Sequence, residues 1–118
     1  MKRTMIHIVR QVISCNELQK IAEESFGEMV KAVVDVHREV IALGGELHAD
    51  EEALLLDDGS SQQNLWGINL YPSLSGDAMV EFDSMINIRP SQGNRSRAVE
   101  NAETQRRIFE ILNRLIKE

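Results

Sequence analysis

The hydrophobic periods along the chain predict an α+β fold. It has an antiparallel or mixed sheet of four to five strands, with two longer helices and one short helix packed against it. Three observations carry that prediction. Residues 29–36 and 65–71 are rich in β-branched and aromatic side chains at strand spacing. Residues 102–116 place Ile108, Ile111, Leu112, Leu115 and Ile116 on one helical stripe, which Phe109 widens. The order of the two periods, β-α-β-β-α-β-β-α, suits a sheet with helices packed on one face.

Ile6, Ile8 and Val12 mark a short opening strand, with His7 on its outward side. Ser14 followed by Glu17 has the capping-box spacing, so a helix starts there. Leu18, Ile21 and Ala22 share its inner face, and Gly27 ends it. In residues 29–36, Val30, Ala32, Val34 and Val36 face one way. Residues 40–43 form the partner strand, with His37, Arg38 and Glu39 as the turn and a bend at Gly44-Gly45. Asp50 is placed to cap a short helix through Leu56, which Gly59 stops. Pro72 closes the strand at 65–71, and a Ser- and Gly-rich turn at 73–77 leads to a strand over 79–88. Residues 89–97 have no period, and Asn101 caps the last helix.

With 118 residues, 42% apolar and 27% charged, the chain suits one domain spanning residues 1–118. Only 4% of residues are aromatic, so the core is aliphatic, and the single tryptophan, Trp66, belongs in it. The lone Cys15 excludes an internal disulfide and a multi-cysteine metal knot, and fits a reducing, cytoplasmic compartment as a small, buried apolar group. Residues 1–10 begin with basic residues, but His7 and Arg10 interrupt the apolar positions and no small-residue cleavage site follows, so no signal peptide is expected. No run of about 18 apolar residues exists to span a membrane. The formal charge of −6 argues against nucleic acid and anionic membranes as partners.

Three stretches stand out: Gly44-Gly45-Glu46-Leu47-His48-Ala49-Asp50-Glu51-Glu52-Ala53-Leu54-Leu55-Leu56, then Trp66-Gly67-Ile68-Asn69-Leu70-Tyr71-Pro72, then residues 81–97 with Arg89-Pro90-Ser91-Gln92-Gly93-Asn94-Arg95-Ser96-Arg97 at their end. Over nearly the whole chain these resemble a family of small prokaryotic single-domain proteins described only as a domain of unknown function. The resemblance implies a prokaryotic, cytosolic domain. It implies no activity, cofactor, partner or functional residue.

The residues themselves offer several sites. The loop 89–97 holds three guanidiniums, two hydroxyls and two amides and no acid, with Gly93 to let backbone amides approach an anion. Its ligand-binding candidates are Arg89, Ser91, Asn94, Arg95 and Arg97. It lacks the Lys-Ser/Thr pair of a P-loop, and its arginines also suit pairing with the protein's own acids. The acidic stretch from Glu46 to Asp58 includes His48, Asp50, Glu51 and Glu52. Oxygen donors with one imidazole fit a divalent ion, and the metal candidates are His48, Asp50 and Asp83. Acids at a helix start are better explained by the helix dipole, which needs no metal. Glu81 and Asp83 share one face of their strand, with His48 a possible neighbour for acid–base chemistry.

The expected function is therefore a small binding protein for an anionic ligand, a nucleotide or phosphorylated metabolite. The alternatives are a metal-assisted hydrolase and a non-catalytic interaction module or homo-oligomer. No nucleophile–base pair identifies catalytic residues, and no motif identifies a cofactor.

Overall fold

A computed structural model describes residues 5–118. The basic start, residues 1–4, lies outside them. The strands are β1 (His7–Val9), β2 (Ile13–Ser14), β3 (Val30–Asp35), β4 (Val40–Leu43), β5 (Leu65–Leu70), β6 (Val80–Glu81) and β7 (Ile116–Lys117). The helices are α1 (Cys15–Ser25), α2 (His48–Asp57) and α3 (Ala102–Leu115). The fold is α+β, as the periods predict. Five strands form one antiparallel sheet in the order β1-β4-β3-β5-β6, and β2 pairs in parallel with β7.

The central strands explain the layering. On one face, Val30, Ala32 and Val34 of β3 join Ile41 and Leu43 of β4 and Trp66, Ile68 and Leu70 of β5. Leu18 and Ala22 of α1, and Ile108, Ile111, Leu112 and Leu115 of α3, close over that surface. The alternate residues are apolar as well. Val33, Val40, Ala42 and Leu65 face the other way and pack against Leu55 of α2 and against Ile86. A strand apolar on both sides needs cover on both. The helices thus occupy two faces of the sheet, not one, with α2 alone on the second.

The local signals mostly act as the sequence predicts. Ser14 Oγ accepts from the Glu17 amide at 3.1 Å. Asn101 Oδ1 accepts from the Thr104 amide at 3.0 Å, capping α3. Gly59 ends α2 with a φ of 109°, a left-handed turn that a β-carbon would disfavour. In the β3–β4 turn, Asp35 Oδ1 accepts from the amides of His37 and Arg38 at 2.8 and 2.9 Å. Glu39 at its corner pairs with Arg107 and Arg114 of α3.

Four local expectations change. Val12 is exposed and outside any strand. The cap of α2 is Leu47, without a side-chain acceptor, and the helix begins two residues before Asp50. The strand expected over 79–88 pairs only at Val80–Glu81. Beyond it, Asn87 takes over the role of a strand. Its Oδ1 accepts from the Gly67 amide at 2.8 Å, and its Nδ2 donates to Gly67 O and Arg97 O, both at 2.9 Å. Fourth, the strand expected over 79–88 would put Phe82 and Ile86 on one face at its two-residue period, but Phe82 packs toward α3, edge-on to Phe109, whereas Ile86 packs toward α2.

Candidate functional site

The α2 side of the sheet has an apolar half and a polar end. Lys31 of β3 lies opposite Asn69 of β5, and Asn69 lies opposite Glu81 of β6. All three project toward α2, because Val33 and Leu65, two and four residues away on the same strands, do so. Leu47, His48 and Ala49 at the start of α2 roof this row, and residues 83–86 and Arg97 wall it in. The result is a cleft of about 400 Å³, with Met29, Leu47, Met85 and Ile86 supplying its apolar lining.

Two buried polar groups line it. His48 is 8% exposed, and its Nε2 lies 2.8 Å from the Ile68 carbonyl oxygen. A carbonyl only accepts, so Nε2 carries the hydrogen and Nδ1 of the neutral ring is left as an acceptor. Burial pushes the imidazole below its usual range, and the charges of Lys31 and Arg97 act in the same direction. The Ile68 hydrogen bond and the Asp83 carboxylate oppose them. His48 is therefore neutral at pH 7. Asn69 is 6% exposed. Its Nδ2 donates to Glu81 Oε1 at 2.8 Å and to Asp83 O at 3.3 Å, while its Oδ1 has no partner among the described residues.

Arg97 closes one side. Its Nε donates to Asp83 Oδ1 at 2.6 Å, an exposed contact that leaves both terminal amino groups without a hydrogen bond among the described residues. Those terminal groups are the fork that engages a phosphate or carboxylate bidentately.

Of the predicted site residues, the structure brings His48, Glu81, Asp83 and Arg97 together in this cleft and leaves the others outside it. Arg89 stacks on Trp66, 4.1 Å from the ring centroid, and donates to the carbonyls of Gln62 and Leu65. Ser91 is exposed in the turn Pro90–Gln92. Asn94 is a buried hub, donating to the carbonyls of Asn87, Ser96 and Ala98 and accepting from the Glu100 amide. The amides of Arg95 and Ser96 both donate to Glu100 Oε2, at 3.1 and 2.8 Å. The Ser96 hydroxyl first, then those amides and the Arg95 charge, hold Glu100 below the usual carboxylate range against a smaller desolvation. The amide nest of the loop thus already holds an anion, the protein's own.

The acids behave differently from the sequence reading. Asp50 is exposed in the first turn of α2. Glu51 beside it is fully buried, and its carboxyl accepts from the Gly45 amide at 2.9 Å. Desolvation pushes it up to about 9. Asp58 pairs with Arg10 and Arg38, not with an arginine of the basic loop. No three His, Cys, Asp or Glu side chains converge to hold a metal among the described residues. Sequence reasoning missed Asn69 and Lys31. Their signal was a polar residue at an inward strand position, legible only once the register is known.

The fold and this cleft define a class: an α+β domain with helices on both sheet faces and a small polar site at the open end of one. The chain belongs to the family described as "Protein of unknown function (DUF5674)", which matches residues 7–115. No curated protein and no solved structure matches it. No helix among the described residues is long and apolar enough to cross a membrane.

Proposed function

We propose that the protein binds a small anionic ligand, a nucleotide or phosphorylated metabolite, in the His48–Asn69–Arg97 cleft. The observation that carries this reading is the convergence of three positive elements on one cleft: the Arg97 fork, Lys31, and the start of α2, whose cap supplies no side-chain acceptor. Of the basic loop, Arg97 alone supports it. Arg89 and the amides of Arg95 and Ser96 hold the loop's own framework together. The Arg97–Asp83 contact is exposed, and such pairs contribute only about 0–1 kcal/mol, so an incoming phosphate can compete for the guanidinium. The same reading includes a reducing, cytoplasmic location, from the single cysteine, and a prokaryotic source, from the resemblance.

Binding is favoured over catalysis because no three His, Cys, Asp or Glu side chains converge to hold a metal among the described residues, and Ser84, the hydroxyl in the cleft wall, is buried with its Oγ accepting from the Ile86 amide. The test is a thermal-shift screen of phosphorylated metabolites and nucleotides. At least one should raise the wild-type Tm by several degrees, and Arg97→Ala should abolish that rise while shifting the unliganded Tm by no more than about 4 °C, the loss an exposed pair allows. A flat response of the wild type across the screen would remove the proposal.

A further inference from the structure

Resting on that anion-binding reading, we infer that the ligand is amino-acid-like: besides its anionic group it carries an amine, presented to the Asn69 carboxamide. The Asn69 amide is oriented by two donations, to Glu81 Oε1 and Asp83 O, so its Oδ1 is the atom left over. That oxygen is buried and has no partner among the described residues. A buried acceptor is satisfied only by a donor, and the protein supplies none there.

Its surroundings select which donor. Glu81 flanks Asn69 across the β5–β6 ladder, and Asp83 lines the same cleft. Two carboxylates beside an orphan carbonyl oxygen favour a positively charged donor over a neutral hydroxyl. The cleft therefore carries both signs, Lys31 and Arg97 against Glu81 and Asp83, and matches a zwitterion better than a simple anion. A site built to bind an N–H group rejects an analogue that lacks it, because the acceptors are then left unpaired.

A matched pair of probes tests this, O-phosphoethanolamine and propyl phosphate, which differ by an ammonium in place of a methyl group. Calorimetric titration should show the amine bound at least tenfold more tightly. Asn69→Leu should reduce that ratio to about threefold or less. Glu81→Gln, at an exposed position, should reduce it in the same direction, and reports even if Asn69→Leu fails to fold. Equal affinity for the two probes, with both lost in Arg97→Ala, would end the amine inference and leave the anion reading standing. Binding of neither probe at millimolar concentration would count against both.

Discussion

Glu51 sits at a helix start, where its sequence neighbours Asp50 and Glu52 imply a solvated acid, yet its side chain is fully buried. The reason is its phase on α2: it lies four residues before Leu55, the helix's buried leucine, and so on the same inward stripe. One oxygen is met by the Gly45 amide and the other has no partner among the described residues. Burial raises the folded pKa from 4.5 to about 9, while the unfolded group keeps its ordinary value. The folded state therefore holds a proton that the unfolded state has released, and stability falls as pH rises from about 4.5 to about 9. Glu51→Gln, which mimics the protonated form, should raise Tm at pH 8 and flatten its decline between pH 6 and 9. Melting curves across that range measure it, and an unchanged slope would place the titration elsewhere.

At the scale of elements, the segment from β6 to α3 shapes the cleft, and it is where a strand reading fails. Its ladder ends at Glu81 because Asn87 satisfies the backbone of Gly67 with a side chain. Gly67 has no β-carbon for a reason: one built there would lie 2.6 Å from Ser84 Cβ. The excursion thus packs directly on β5 and carries Asp83 and Met85 into the cleft wall. Asn87→Ala should unseat it, leaving the Gly67 amide and carbonyl unpaired while Arg97 O keeps the Ser84 amide, at a loss of roughly 2–4 kcal/mol given the usual penalty per buried group. Urea denaturation reads this directly. The starts of α1 and α3, the central strands, the turn after Asp35 and the stop at Gly59 are legible in sequence because each depends on neighbours within a few residues. The excursion depends on pairing across 20 residues, Gly67 to Asn87, and no local period records that.

At the scale of the molecule, the same distinction separates what was visible of the site from what was not. The loop 89–97 is conspicuous by composition, yet most of its polar groups turn inward, to Trp66, Glu100 and the carbonyls around Asn94. Charge density along the sequence marks the loop but not the direction of its side chains. The cleft is assembled instead from β3, β5, β6, the start of α2, residues 83–86 and the loop end. His48, Glu81, Asp83 and Arg97 are visible as polar types, while Lys31 and Asn69 acquire meaning only from sheet register. His48 also gives the molecule an acid-side limit: its folded pKa lies below 6.5, so stability is lost as pH falls from about 6.5, opposite in sign to Glu51.

Amide chemical shifts followed during titration with O-phosphoethanolamine show where the ligand sits. The largest changes should fall at His48, Ala49, Asn69 and Arg97, with the Asn69 side-chain amide among them. Shifts centred instead on Gly93, Arg95 and Ser96 would mean that the ligand displaces Glu100 from the loop, and that the cleft is not the site.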